Sequence, residues 1–355
     1  MLIMGENWYS RAVNQFSPMI STAVVAALLV GCGVTDDPAP PTEATQPASP
    51  TTPDQTNEPT SAPTAEPSAP TCQDPRCYGQ PRHAGTLDPG LVDQVSGMSA
   101  SWRTPGALYA VSDVAGTSEV VAVTEDGNLI ARIEIAGMAA ENVEALAVGA
   151  CGDARPDDTC LYVGDIGDHV GRPDVVIYRL PEPDMDNLPT APIAADALRY
   201  TYPDGATNAE ALLVDDAGRP LIVTKGSVDR SSGTTGSTRL YRGGTSGGAL
   251  EYLGDIDLPE PESPVFALMV GNVVTGADTL GDGKVILRTY DEVLEFQADE
   301  PGADLATFPD WPVRRASSPS QVQSETIAYR VDDCGYLTTA EMGGDISAVD
   351  CVGQP

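Results

Sequence analysis

The sequence predicts an all-β fold: a β-propeller, with five blades favoured over six, placed after a disordered N-terminal tether. Three observations predict it. Short β-rich runs separated by Gly, Asp and Pro fill the chain from about residue 85 onward. Those runs recur as a repeat. The stretch before them has almost no apolar material to bury.

The strand runs include Ala107-Leu-Tyr-Ala-Val-Ser, Cys160-Leu-Tyr-Val-Gly, Val175-Val-Ile-Tyr-Arg-Leu, Pro220-Leu-Ile-Val-Thr, Lys284-Val-Ile-Leu-Arg-Thr-Tyr and Gly335-Tyr-Leu-Thr-Thr. No stretch holds an apolar period of 3.6 residues, so helices are not expected. The repeat begins with a Glu-led inner strand: Glu144-Ala-Leu-Ala-Val matches Glu210-Ala-Leu-Leu-Val and Glu325-Thr-Ile-Ala-Tyr. Ser96-Gly-Met-Ser-Ala and Thr275-Gly-Ala-Asp278 occupy the comparable places in two further units. A second strand follows in each unit and ends on a polar residue: Asp113, Asp165, Lys225, Arg288 or Glu341. Third strands are read at Val120, Val176, Arg239, Val293 and Ile346, and fourth strands at Ala131, Leu198 and Leu250. One such sheet cannot bury both of its faces alone, whereas radial stacking covers them. The run Leu91-Val-Asp-Gln-Val is expected to supply the missing outer strand of the last blade. An irregular array of β-sandwiches is the structural alternative.

The domain plan is a signal peptide over 1–31, a lipidated cysteine and linker over 32–84, and the propeller over 85–355. Residues 19–31 form an apolar run too short to span a bilayer comfortably, with the length of a signal-peptide core. Leu29-Val30-Gly31-Cys32 resembles the bacterial lipobox, which implies that Cys32 is the mature N-terminus and carries the lipid. The n-region is long, and its only basic residue is Arg11. Several acyl chains anchor a protein stably, at about 0.8 kcal/mol per buried methylene. Gly33, in place of a retention Asp, fits an outer-membrane or cell-surface location in a host with two membranes. Residues 33–71 carry Pro, Thr, Ala, Ser and six acidic residues with no Lys or Arg, a composition that stays extended and unfolded.

Of seven cysteines, six remain after lipidation. Proximity suggests Cys72–Cys77, Cys151–Cys160 and Cys334–Cys351, each around a short polar loop; six cysteines allow 15 pairings. Cysteine zinc sites are disfavoured by the spacing and by the scarcity of histidine, His83 and His169 being the only two. The formal charge of −33, from 52 acidic and 19 basic residues, repels phosphate backbones and argues against nucleic-acid binding. The partners expected are the membrane, through the lipid, and a small-molecule or protein ligand; the chain itself is expected to be a monomer.

Ser96-Gly97-Met98-Ser99-Ala100-Ser101, Asn142-Val143-Glu144-Ala145-Leu146-Ala147, Tyr162-Val163-Gly164-Asp165-Ile166-Gly167-Asp168, Thr275-Gly276-Ala277-Asp278 and Arg288-Thr289-Tyr290 carry a resemblance. They are similar to motifs of a family of secreted bacterial propeller lipoproteins of unknown function. The resemblance covers roughly 91–345 and is most specific at Gly-Asp-Ile-Gly-Asp, after which His169 stands where the family often has Asn. More distantly, the chain resembles esterase-like phytases and other calcium-using propellers, which implies a fold and not an activity.

If the first strands line a central channel, Glu144, Glu210, Asp278 and Glu325 face it, with Asp113, Asp165, Lys225, Arg288 and Glu341 as a neighbouring ring. Charges so placed must be paired, hydrated or bound to a cation. Three readings follow. The first is a salt-bridge network neutralised by Lys225 and Arg288. The second is a calcium site, for which Asp165, Asp168 and Glu144 are the candidate ligands. The third is a metal-assisted hydrolase of phosphoesters or esters, with paired carboxylates as acid and base. No nucleophile elbow, zinc-protease helix or Walker loop occurs, and His169 is the one plausible catalytic histidine. Trp102, Trp311 and Tyr290 are the aromatics available for a sugar surface, and aromatics are only 5% of the chain, too few for a broad platform.

Overall fold

The computed structural model describes residues 78–352, except 153–154, 156–157, 230–233, 265–266, 268–269, 282, 322, 332 and 342–343. Cys32, the linker 33–71 and the Cys72–Cys77 pair lie outside the described residues.

Five antiparallel sheets form a five-bladed propeller. Outward from the axis, blade 1 comprises Val95–Ala100, Ala107–Ser112, Glu119–Thr124 and Leu129–Ala136. Blade 2 comprises Ala145–Ala150, Thr159–Asp165, Val175–Pro181 and Asp196–Thr201. Blade 3 comprises Ala209–Val214, Pro220–Thr224, Thr238–Arg242 and Glu251–Ile256. Blade 4 comprises Val274–Asp278, Lys284–Thr289, Val293–Gln297 and Val313–Ala316. Blade 5 comprises Ala328–Tyr329, Tyr336–Thr339 and Asp345–Val349, and its outer strand is Arg82–Thr86 from the start of the described chain.

That closing strand corrects two expectations. The outer strand of the last blade is Arg82–Thr86, and the 91–95 run leads into the innermost strand of blade 1. The propeller therefore begins before residue 85. Arg82-His-Ala-Gly-Thr has an edge-strand composition with little to bury, so hydropathy does not mark it. Arg330 of blade 5 secures the same seam. It donates two bonds to Glu125 of blade 1 (3.0 and 2.6 Å) and one to Asp350 (2.6 Å), which Arg82 also grips at 2.8 and 2.9 Å.

Each innermost strand touches the innermost strands of its two neighbours, so the ring is closed. The hydrophobic core is correspondingly divided into five clusters, one between each pair of adjacent blades. Fully buried tyrosines recur in them: Tyr109, Tyr162, Tyr200, Tyr241, Tyr329 and Tyr336. Burial of a side chain of this size contributes roughly 1.5–3 kcal/mol. Adjacent innermost strands approach closely at glycines in blades 1 and 4. A Cβ on Gly97 would lie 2.9 Å from Ala145 C, and one on Gly276 would lie 3.1 Å from Glu325 O.

Cys151–Cys160 and Cys334–Cys351 are disulfide-bonded. The first closes the hairpin between the two inner strands of blade 2. The second ties the corresponding hairpin of blade 5 to the end of its third strand. Tyr78, where the described chain begins, bridges to Cys351. The innermost strands run away from the opposite rim, and that rim carries the functional candidates.

Candidate functional site

The site is built where the innermost strands begin and the second strands end. Antiparallel pairing puts both at one rim. In three blades the innermost strand opens with a β-bulge, at Ser96, Glu210 and Thr275. Glu144 and Glu325 hold the equivalent place in blades 2 and 5, where their N–H groups bond to Gly164 O and Thr339 O. A bulge re-aims one side chain out of the alternation of the strand. Here it gives a five-membered series: Ser96, Glu144, Glu210, Thr275 and Glu325.

The two hydroxyls of the series clasp neighbouring blades. Ser96 Oγ donates to Val143 O at 2.6 Å, and Thr275 Oγ1 donates to Ser324 O at 2.7 Å. Each bond holds the residue just before the next blade's glutamate. The three glutamates are all buried. They act on one another electrostatically, although they come from blades 2, 3 and 5. The structure thus brings Glu144, Glu210 and Glu325 within electrostatic reach of one another.

The second ring is Asp113, Gly167, Lys225, Tyr290 and Glu341. Asp113, Lys225 and Glu341 are fixed identically, each N–H bonding to the carbonyl of Gln94, Asn208 or Gln323. Lys225 Nζ bonds to Glu210 and, at 2.8 Å, to Tyr290 Oη, and sits 5.0 Å from the Tyr290 ring centroid. Glu341 accepts from Gln323 Nε2 at 2.6 Å.

Amides two residues before the bulge position complete the mouth. Asn142 Nδ2 donates to Glu144 Oε1 at 2.7 Å, and Asn208 Nδ2 reaches Glu210 Oε1 at 3.5 Å. Gln94 and Gln323 are the corresponding residues of blades 1 and 5, and both have a positive φ, 51° and 52°. Sequence reasoning missed these amides and Tyr290's place in the ring. The signal was present as Asn/Gln-x-Glu/Ser at 94, 142, 208 and 323.

Four other expectations are corrected. Asp278 lies at the far end of its strand, opposite Ile286, and accepts from Tyr329 N (2.7 Å) and Thr279 N (2.9 Å). Burial pushes its carboxyl up to about 7, and it joins blade 4 to blade 5 instead of facing the mouth. Arg288 precedes the ring position by two residues and points between blades 4 and 5. There it bonds to Ser318 Oγ, Pro319 O (3.1 Å) and Ser324 Oγ (2.5 Å) and neutralises no mouth carboxylate. Desolvation lowers it to about 10. Asp165 accepts from Glu141 N (3.1 Å), Asn142 N (2.9 Å) and Arg172 Nη1 (2.7 Å). Asp168 caps its own loop through the N–H groups of Val170, Gly171 and Arg172. With both carboxylates so occupied, Asp165, Asp168 and Glu144 do not form a ligand set.

The Gly-Asp-Ile-Gly-Asp segment thus shapes the mouth without lining it. Asp165 holds the chain just before Glu144. A Cβ on Gly167 would lie 2.2 Å from Asn142 Oδ1 and 2.6 Å from Glu144 Cγ, so only glycine lets the segment pass. His169 is exposed nearby, and burial of its ring and the charge of Lys225 lower its pKa. Trp102 and Trp311 pack into separate core clusters and form no common surface with Tyr290.

The electrostatics follow from five carboxylates sharing one lysine. Burial, then the charge of Glu210, hold Glu144 and Glu325 well above the ordinary carboxylate range. Burial and Glu341 push Asp113 to about 6. Glu210, Glu325 and Tyr290 keep Lys225 protonated against the effect of its burial. Asp113 Oδ1, Asn142 Oδ1 and Glu210 Oε2 are sealed from solvent and have no hydrogen-bond partner among the described residues. All three are acceptors.

No protein-family model and no curated protein matches the chain. Among solved structures, a PQQ-bound aldose sugar dehydrogenase from Streptomyces coelicolor is 13% identical, with coverage of 78% of this chain and 98% of the other and a TM-score of 0.42. A putative gluconolactonase is 16% identical, covering 69% and 71%, with a TM-score of 0.35. A luciferin-regenerating enzyme is 12% identical, covering 74% and 79%, with a TM-score of 0.39. At these values the likenesses bear on neither substrate nor cofactor.

Proposed function

We propose that the chain is a lipid-anchored, extracytoplasmic binding module whose channel mouth takes a cationic ligand. The observation that carries this reading is the excess of buried acceptors at the mouth. Carboxylates from blades 1, 2, 3 and 5 meet there, Lys225 neutralises one of them, and three sealed oxygens have no donor among the described residues. Burying so much negative charge is unfavourable unless something positive or a proton compensates it. Export is supported by the two disulfides, which persist in oxidising compartments. Among the described residues no helix is long and apolar enough to cross a membrane; the anchor assigned is the lipid on Cys32, from the lipobox-like Leu29-Val30-Gly31-Cys32.

Calcium is the metal whose preference for oxygen ligands fits the donor types. Among the described residues, however, no three acidic, histidine or cysteine side chains are grouped closely enough to hold a metal, so calcium rests on donor type alone. Thermal melts with added calcium and with EDTA test the reading; a midpoint indifferent to both removes calcium. Cys32→Ala should shift the protein from the membrane to the soluble fraction, and unchanged membrane fractionation would remove the anchor. The second reading is a hydrolase. It is favoured by the raised carboxyls of Glu144 and Glu325, a shift that suits general acids, beside Lys225. Phosphoester and ester hydrolysis that survives unchanged in Glu144→Gln and Glu325→Gln would remove it.

A further inference from the structure

The mouth already holds one ammonium group, its own. Lys225 Nζ is seated by the Glu210 carboxylate, the Tyr290 hydroxyl and the face of the Tyr290 ring. Glu210 is one of three glutamates at the same position of the repeat. In the two other repeats the place of Lys225 is taken by Gly167 and Glu341, neither of them cationic. Glu325 is only 5% exposed, and its carboxylate has no hydrogen-bond or ion-pair partner among the described residues. Asp113 Oδ1 and Asn142 Oδ1 beside them also lack donors. The repeat therefore pairs one of its three glutamates directly with an ammonium group and gives the other two none at the equivalent position.

We infer that the mouth binds a primary alkylammonium group between Glu144 and Glu325, seated as Lys225 is seated against Glu210. This rests on the mouth being the ligand site and names the chemistry of the ligand. An ammonium has three donors that point apart, which suits acceptors contributed by separate blades. Calcium needs six to eight oxygens drawn together at about 2.3–2.6 Å. Among the described residues no three acidic, histidine or cysteine side chains are grouped closely enough to hold a metal. Lys225 also repels a divalent ion twice as strongly as a monovalent one at equal distance. Burial and the charge of Glu210 raise both carboxyls, so seating an ammonium between them should favour release of a proton to the buffer. Affinity should rise with pH until the amine itself begins to lose its charge, in the field of the neighbouring charged groups Asp113, Glu210, Lys225 and Glu341.

The ammonium can belong to a free diamine or to a lysine side chain of a partner. Isothermal titration of the full chain with putrescine and with a Gly-Lys-Gly peptide separates the two sources. Tetramethylammonium and calcium chloride at equal ionic strength serve as controls. Binding of either amine at least tenfold tighter than tetramethylammonium is expected. Glu325→Gln and Glu144→Gln should each weaken it tenfold or more, and Glu134→Gln on the exposed outer strand of blade 1 should not. Repeating the titration in two buffers of different ionisation enthalpy should reveal proton release. Amine binding that is indifferent to both mouth variants overturns the inference. Calcium binding lost in Glu325→Gln, without amine binding, overturns the inference but leaves the mouth as a cation site. Binding of none of the probes overturns both. Two variants guard against one failing to fold, and far-ultraviolet circular dichroism verifies each.

Discussion

Glu144, Glu210 and Glu325 occupy one position of the repeat, yet replacing each by Gln should change stability in different directions. Glu210→Gln leaves Lys225 beside a neutral amide. Removing one partner of a buried ion pair costs about 3–5 kcal/mol. The Lys225 side chain keeps 18% of its exposure and retains Tyr290, so about 2–3 kcal/mol is expected at pH 7. That corresponds to a melting point roughly 5–10 °C lower. Burial and the charge of Glu210 hold the Glu144 and Glu325 carboxyls well above the ordinary range, and Gln closely resembles a protonated Glu. Their Gln variants should stay within roughly 1 kcal/mol of the parent at pH 6. Raised carboxyls stabilise the fold fully below the ordinary glutamate range, and that contribution is lost as pH climbs through the raised value. Gln does not ionise, so Glu144→Gln and Glu325→Gln should become more stable than the parent by pH 9, by about 1.4 kcal/mol per unit of elevation. Urea denaturation at pH 6, 7 and 9, with disulfides intact, provides the assay. Equal losses in all three variants, or a larger loss in Glu325→Gln than in Glu210→Gln at pH 7, would refute the charge assignment.

Two further predictions concern the frame around the mouth. Gly167→Ala forces a methyl group onto Asn142 and Glu144 and should cost about 1–3 kcal/mol in denaturant melts; a neutral result would mean that the segment does not pass so closely. Arg330→Ala removes the link between blades 5 and 1 and leaves Glu125 and Asp350 without it. It should destabilise by about 2–4 kcal/mol and hasten proteolysis at Arg82, whereas unchanged cleavage would place ring closure elsewhere.

Much of the fold is legible in the sequence because the propeller repeats a hydrophobic pattern. The runs at Ala107, Cys160, Pro220 and Lys284 are nearly continuous apolar strands, since adjacent blades cover both faces. The outer strands are less legible. Val313–Ala316 reads Val-Arg-Arg-Ala, and its two arginines pair with the buried Glu295 and Glu292, a partnership that pattern reading cannot see. Arg82–Thr86 is hidden for the same reason of composition, and its partner strand lies over 250 residues away in the chain. At the site, the Glu-led strands place Glu144, Glu210 and Glu325 correctly. Asp165, Asp278 and Arg288 are misplaced by one to three residues. In a strand, one residue of slip turns a side chain to the other face. The bulges that set the true register leave no mark beyond a small residue following Ser96, Glu210 and Thr275.

The convergence of the glutamates is most directly tested by a carboxyl-carbon NMR titration of Glu144 and Glu325 in the parent protein and in Lys225→Met. Both carboxyls should titrate well above the ordinary glutamate range, and both should move higher when the ammonium is removed, because Lys225 lowers each of them. Ordinary values unmoved by Lys225→Met would show that these side chains sit apart in solvent and share no mouth.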